Sequence, residues 1–261
     1  MSDNQKQIEQ LIRQHDHDRW TCSLFAPDAA RPHILALLAF NYEIARVREV
    51  VTDPAIGLIR LAWWREAADD LSRGIVRPHY ALQELANIPN LDYAALHQMV
   101  DARAREFEES INPTYADFIN YCQYTSGVLW KLCAAQAGAE NNHVANIGQA
   151  WAMIGLLRSV MFQARFRRMY LPLDLLAQHG IDKDRFFDVP TGIDLSPVAK
   201  HIMEQAKEII RVNTGPNNPR FINALGKLGH IYSGRFQQAK YDLLHPHLQK
   251  PLFFKYLKLL F

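Results

Sequence analysis

The segment Gly155-Leu-Leu-Arg-Ser-Val-Met-Phe-Gln-Ala-Arg-Phe-Arg-Arg-Met-Tyr-Leu-Pro172 carries four arginines and no acid. The depletion is wider than the segment: no Asp or Glu occurs from Asn141 to Leu173. Apolar residues recur at three and four, so the spacing predicts a helix over 143–164 that stops ahead of Tyr170-Leu171-Pro172. Ser159 and Gln163 stand one turn apart on one face of it, a spacing at which two side chains converge on one ligand. Both are neutral. A basic helix end without counter-charges on its own strand of chain invites either an anion or acids from elsewhere in the fold.

Outward from this helix the chain keeps the same character. Asp53-Pro54, Asn112-Pro113, Ser196-Pro197 and Asn218-Pro219 each read as a capping residue followed by proline at the first helical position. There the missing N–H costs nothing. Further helices are expected over 28–50, 54–73, 91–111, 114–137, 196–213 and 218–243, with shorter ones over 4–15, 78–86, 171–178 and 247–260. Loops at 86–91, 138–142, 187–195 and 213–219 are too short to link domains. No repeat and no strand-like alternation interrupts this pattern, which predicts one all-α domain over 1–261, with an N-terminal arm at 1–18 and a C-terminal amphipathic helix at 247–261.

In its order of motifs the chain resembles the squalene/phytoene synthase superfamily. There the second signature reads Asn-x-x-Arg-Asp-x-x-x-Asp, then Arg, then Tyr-Leu-Pro. Arg158, Arg165, Arg168 and Tyr170-Leu171-Pro172 fall into that register, while Ser159, Phe162 and Gln163 stand where the acids belong. The first signature of the family, on an early helix, aligns through Ala39-Phe40. Its acidic places become Ala45, Arg46 and Glu49, so one carboxylate survives and one charge is reversed. Glu43 leaves the helix on another side and does not replace Ala45. Trp20 to Arg31 and Ile56 to Glu66 are similar to the family's opening run and to its Arg-Leu-x-x-Trp helix. A narrower branch is similar in more places. The non-catalytic complex I assembly factors of this superfamily, of mitochondrial and alphaproteobacterial type, share Ala39-Phe40-Asn41-Tyr42-Glu43-Ile44-Ala45, Leu171-Pro172-Leu173-Asp174, His179-Gly180 and the 236–248 stretch.

The resemblance implies an isoprenoid-synthase-type helical bundle with a central cavity. It also implies a chemistry to test residue by residue. Active relatives ionise an allylic diphosphate, and Mg²⁺ held by acids on two facing helices neutralises the leaving group. Magnesium demands hard oxygen ligands, and Ser159 with Gln163 supplies no negative charge. A pseudoenzyme is therefore expected, with no catalytic residue, no metal and no cofactor. Its partner would be a respiratory complex I subunit or assembly intermediate. Arg46, Arg158, Arg165, Arg168 and Tyr170 are the candidate ligand residues, able to hold a prenyl diphosphate or an anionic lipid without metal. The opposing possibility is that these arginines pair with acids such as Glu49, Glu66 or Asp69, or face water. The alternative function is a Mg-dependent prenyl-diphosphate transferase, and a third is a prenyl-lipid carrier.

Composition excludes other classes. Nearly half of the 261 residues are apolar (49%), so the chain can bury a core, and a net charge of +2 gives no case for nucleic acid. Cys22, Cys122 and Cys133 have no metal spacing and read as reduced buried thiols. Glu66, Asp69 and Asp70 share a helix side, and His15-Asp16-His17-Asp18 and His245-Pro246-His247 superficially suggest metal tracts; a solvated or ion-paired face is the simpler expectation. Trp63, Trp64, Trp130 and Trp151 are expected in the core. The polar N-terminus reads as neither signal nor transit peptide, and no apolar run reaches about 20 residues. A cytoplasmic chain, peripheral on the inner membrane and corresponding to the matrix side in a eukaryote, is the expectation. Its membrane contact would run through Lys250, Lys255, Lys258 and Phe253, with lysines on one arc and apolar side chains opposite.

Overall fold

Residues 2–139, 142–250, 252 and 255–260 are described by the structure, a computed structural model. Their regular elements are helices throughout. In chain order these are α1 (Asp3–His15), α2 (His17–Ser23), α3 (Arg31–Val50), α4 (Pro54–Ser72), α5 (Tyr80–Leu85) and α6 (Tyr93–Ala104), which a 3₁₀ turn, Arg105–Phe107, extends. They continue as α7 (Tyr115–Cys122), a π-helical turn at Gln123–Gly127, α8 (Val128–Ala135), α9 (Asn142–Ala164), α10 (Leu173–Gln178) and α11 (Lys183–Asp188). A 3₁₀ turn at Pro190–Gly192 precedes α12 (Ser196–Asn213), α13 (Arg220–Gln238), α14 (Pro246–Gln249) and α15 (Lys255–Leu260).

Helix α9 is the axis. It lies against α8 and the π turn on one side and against α12 and α13 on the other. Helix α3 packs on α1, α4, α5 and α8, so α8 stands between the two helices that carry the signature positions. One continuous apolar cluster, with Trp130, Phe40, Phe118, Phe221 and Phe236 among its largest fully buried members, joins all of these elements into a single domain. The crossing of α9 with the π turn is close because two glycines meet there. A Cβ on Gly148 would lie 2.6 Å from the Ser126 carbonyl oxygen and 3.0 Å from the Gly127 Cα. The widened turn and the absent side chains let the backbones touch.

Local chemistry sets the helix ends, not always as the sequence suggests. Asp53 does cap α4 ahead of Pro54, its Oδ1 accepting from Ala55 N at 2.8 Å. The other three proline signals behave differently. Thr114, not Asn112, caps α7, in a reciprocal box with Asp117. The Asn112 side chain is used elsewhere, donating to the Tyr170 carbonyl at 2.6 Å. Ser196 begins α12 without capping it, because Asp194 upstream already accepts its N–H at 2.8 Å. Asn218 ties back to the Asn213 carbonyl at 2.7 Å. Two short helices, α2 and α11, are additional to the expected set, and the expected 218–243 helix stops at Gln238, where Lys240 and Tyr241 adopt positive φ of 51° and 61°. The expected 247–260 helix is two separate elements. Lys250 is extended at φ −72°, ψ 137°, as the residue before Pro251 tends to be.

Candidate functional site

The C-terminal ends of α3 and α9 bring most of the signature positions to one end of the bundle, and each wall is poor in acids. On α3, Ala45 is half-buried while Arg46 and Glu49 are exposed. On α9, Ser159 spends its hydroxyl on the Leu156 carbonyl at 3.0 Å, and Phe162 is exposed with its ring edge-on to Phe166 at 5.3 Å. Gln163 keeps a buried Oε1 without a partner. Glu49 is thus the one carboxylate among these positions, on one wall and in water. Hard-ion ligation by several oxygens does not fit this set, and among the described residues no group of three or more His, Cys, Asp or Glu converges as a metal site.

Arg158 and Tyr170 of the second signature are engaged from other elements. Arg158 Nη1 donates to Asp18 Oδ2 at 3.1 Å, and the Tyr232 hydroxyl donates to the same oxygen at 2.8 Å. The Arg158 guanidinium also lies 4.0 Å over the Tyr232 ring, a cation–π contact. Asp18, on α2, is itself nearly buried, at 7% exposure. A second knot forms around Glu106, which is 3% exposed. Its Oε1 accepts from Arg103 Nη1 at 2.7 Å and from the Tyr121 hydroxyl at 2.7 Å, and its Oε2 accepts from the Tyr170 hydroxyl at 3.0 Å. Arg48 Nε donates to the Glu106 carbonyl at 2.9 Å, with its guanidinium 5.0 Å over Phe107.

This knot has a clear electrostatic sense. Burial, then the Glu106 charge, pushes the Tyr170 phenol well above its ordinary range, and burial does the same for Tyr121. Both are therefore fixed as donors at neutral pH. Burial opposes the charge on Arg103, but Tyr121 and Glu106 outweigh it and raise its pKa. Arg48 is lowered, first by burial and then by the nearby Arg168. Arg168 keeps a buried Nε with no hydrogen-bond partner.

The candidate residues separate into groups. Arg168 and Tyr170 meet at the Glu106 knot. Arg158 sits in the Asp18 knot. Arg165 is exposed, and Arg46 opens instead into a cleft of about 360 Å³ between α3 and α4, beside Arg60, Val50 and Trp63. The simpler expectation for the acids of α4 holds: Asp70 and Glu66 pair with Arg77, and Asp69 with His97. Trp64, Trp130 and Trp151 are buried as expected, whereas Trp63 is 38% exposed beside the α3–α4 cleft, where its ring stacks under Arg77. Phe253 and the Lys255 side chain lie outside the described residues; Lys258 is exposed. Sequence reasoning missed Asp18, Arg48, Arg103, Glu106, Tyr121 and Tyr232. One signal was available: Arg103 and Glu106 lie three apart, the spacing of a helical ion pair, beside the apolar Ala102 and Phe107.

The profile of the squalene/phytoene synthase family matches residues 12–212. The chain belongs to that family. Over 256 residues it is 26% identical to NADH dehydrogenase (ubiquinone) complex I, assembly factor 6, of Bos taurus, across 92% of this chain and 76% of that protein. It is 29% identical over 125 residues to a phytoene synthase of Thermus thermophilus, across 47% of this chain and 39% of that protein. The crystal structure of a dehydrosqualene synthase superposes with a TM-score of 0.82 at 15% identity, across 98% of this chain and 94% of that one. The fold of that structure is therefore shared along nearly the whole chain, while Ser159, Phe162 and Gln163 leave the signature positions of α9 neutral.

Proposed function

We propose that this chain is a non-catalytic member of the squalene/phytoene synthase family that assists the assembly of respiratory complex I from the membrane surface. The observation that carries the first half is the α9 wall. Ser159, Phe162 and Gln163 give a diphosphate-bound Mg²⁺ no anionic ligand, and Arg158 is paired with Asp18. A leaving pyrophosphate would meet one exposed carboxylate instead of a two-walled cage. The second half rests on similarity to assembly factor 6 along almost the whole chain, whereas the phytoene synthase match spans about half of it. Within this reading the site keeps cationic groups, Arg48, Arg165 and Arg168, that suit a prenyl diphosphate or an anionic lipid head without metal. No helix among the described residues is long and apolar enough to cross a membrane, so attachment would be peripheral, through the tail with Lys250 and Lys258.

The test has two arms. Purified protein given farnesyl or geranylgeranyl diphosphate with Mg²⁺ is expected to release no pyrophosphate. A deletion strain is expected to lose complex I activity while keeping its prenyl-lipid profile, and to regain the activity on complementation. Pyrophosphate release together with an intact respiratory chain would establish the transferase instead.

A further inference from the structure

The cleft between α3 and α4, about 360 Å³ in volume, takes its lining from those two helices alone. Helix α3 contributes Glu43, Arg46, Val47 and Val50, which recur at three and four and so share one face. Helix α4 contributes Arg60, Trp63 and Trp64. The cleft is thus separate from the α9 wall and from both acid knots.

Its walls are apolar and partly fixed. Val47 and Trp64 are buried, while Val50 is 52% exposed and Trp63 is half-buried. Trp64 stands edge-on to Phe40 at 5.6 Å and to His79 at 4.8 Å, so this wall is built before any ligand arrives. Beyond the edge of the cleft, the exposed Ile59 and Ile56 precede Trp63 at helical spacing and continue the apolar surface along α4.

The charges in the lining are two guanidiniums and one carboxylate. Arg46 and Arg60 are exposed, and among the described residues neither makes a side-chain hydrogen bond or ion pair. Arg46 lies 5.9 Å over the Tyr42 ring. Glu43 accepts from the Tyr80 hydroxyl. Burial, then Glu43, raises the Tyr80 phenol while Arg46 opposes that rise, so the three groups share one field. The phenol stays protonated and holds Glu43 in place. Glu49, Glu108 and Glu109 are exposed and stand outside the lining, which keeps a single positive charge.

We propose that this cleft binds a fatty acid, its carboxylate between Arg46 and Arg60 and its acyl chain along Val47, Val50, Trp63 and Trp64 toward Ile59. The charge selects the class. Guanidiniums fork onto carboxylate oxygens, and one negative charge balances the lining. A diphosphate would set its further charges against Glu43. A neutral amphiphile gives the two guanidiniums no anion, and a cationic one meets them as like charges. The volume lies within the range of small-molecule sites, which begins at about 300 Å³. Both the place and the ligand differ from those considered at the signature end, and the proposal stands independently of the assembly role.

The experiment is isothermal titration calorimetry of the full chain with decanoate below its micelle concentration. Octanoate, decanol, decyltrimethylammonium, inorganic diphosphate and an acetylated peptide ending in leucine are titrated beside it. One saturable site for decanoate is expected, with octanoate about 15-fold weaker, roughly fourfold per methylene. Decanol is expected to bind at least about tenfold more weakly than decanoate, and decyltrimethylammonium not at all. Arg46→Gln/Arg60→Gln is expected to weaken decanoate at least about tenfold and to leave decanol unchanged. Trp63→Ala is expected to weaken both, and Arg165→Gln, an exposed arginine outside the cleft, to change neither. Each variant is checked for an unchanged thermal transition. No saturable decanoate binding, or binding that the arginine pair variant retains, would overturn the proposal. So would tighter binding of the diphosphate or of the peptide at these arginines. Complementation of complex I in the deletion strain is read separately, so a failure here would leave the assembly role standing.

Discussion

Removing the Glu106 carboxylate is the most severe single change the structure foresees near the site. Glu106 is 3% exposed and accepts three side-chain hydrogen bonds, from Arg103, Tyr121 and Tyr170. Glu106→Ala leaves the Arg103 guanidinium, whose side chain is 16% exposed, without its counter-charge. Breaking a buried pair in this way costs about 3–5 kcal/mol. Two buried phenols also lose their acceptor, at about 1–3 kcal/mol each, but the three donors share one carboxylate and their costs do not add. A net loss of about 4–6 kcal/mol follows. At about 2–4 °C per kcal/mol for a chain of this size, the transition falls by roughly 10–20 °C. Tyr170→Phe removes one charged hydrogen bond and should cost about 1.5–3 kcal/mol. Replacing both charges, Glu106→Leu with Arg103→Met, should cost less than Glu106→Ala alone, because no lone buried charge remains. Urea unfolding followed by circular dichroism measures all four proteins. The reasoning fails if Glu106→Ala stays within about 1 kcal/mol of the parent, or if the double replacement costs as much as Glu106→Ala alone.

Three further outcomes can be checked by the same unfolding measurement. Arg158→Ala should destabilise by about 1–2 kcal/mol through the lost Asp18 hydrogen bond and the cation–π contact, tempered by the exposure of the side chain, and Arg158→Lys should recover only part of it. Two glycines of α9 should respond with opposite sign: Gly148→Ala collides with the Ser126 carbonyl and should cost about 1–3 kcal/mol, whereas Gly155→Ala meets nothing within 4 Å and should stabilise by up to about 1 kcal/mol. Burial lowers the His79 imidazole below its ordinary value despite Glu43, and its Nδ1 accepts the Ala81 N–H at the start of α5. The fold therefore holds it neutral, so its contribution is whole above about pH 6.5 and is lost as the pH falls and the unfolded chain takes up the proton first. His79→Asn retains an acceptor and cannot titrate, so the stability gap between parent and variant should narrow from pH 7.5 to pH 5; a constant gap would contradict this.

Much of the architecture was readable because helices announce themselves through period and punctuation. The buried stripes on α9 and α12 fall where apolar residues recur at three and four, with Val198, Ile202, Ala206 and Ile210 all buried. The short helices α2 and α11 were not readable, since seven and six residues are too few for a period to emerge. The proline signals misled for a related reason. An Asn or Ser before proline can cap, but Asn218 turns back to the Asn213 carbonyl in its own loop, and Asn112 serves the Tyr170 carbonyl, which only the folded arrangement supplies. At the site, the missing acids were plain from Ser159 and Gln163. The acids that answer the arginines were not, because Asp18 is 140 residues from Arg158 and Glu106 is 64 from Tyr170. Those separations also explain why Glu49, Glu66 and Asp69 were weighed as counter-charges in place of Asp18 and Glu106.

The neutral α9 wall and the two acid knots belong to one physical situation. On the proposed reading, signature arginines and a tyrosine that would face a diphosphate, set beside neutral residues where metal-binding acids are expected, leave cations in need of other counter-charges. Here Asp18 takes Arg158, and Glu106 takes Tyr170 together with Arg103. Both acids come from elements outside the signature pair, and both are nearly buried. The same bonds restrict what the site can still do. Arg158 cannot swing to a ligand without taking the cation from Asp18, and Tyr170 cannot without taking one of the three donors from Glu106. Arg48, Arg165 and Arg168 carry no such obligation to a carboxylate among the bonds found, and all three lie toward the exposed rim of Val50, Phe162 and Phe166. On the proposed reading, acids placed at Ala45, Ser159 and Gln163 would not by themselves create a transferase, because Asp18 and Glu106 would still hold Arg158 and Tyr170. Such a triple-Asp variant should gain Mg²⁺ affinity, read by calorimetry, and release no pyrophosphate from farnesyl diphosphate. Turnover from that variant would show that the knots open freely.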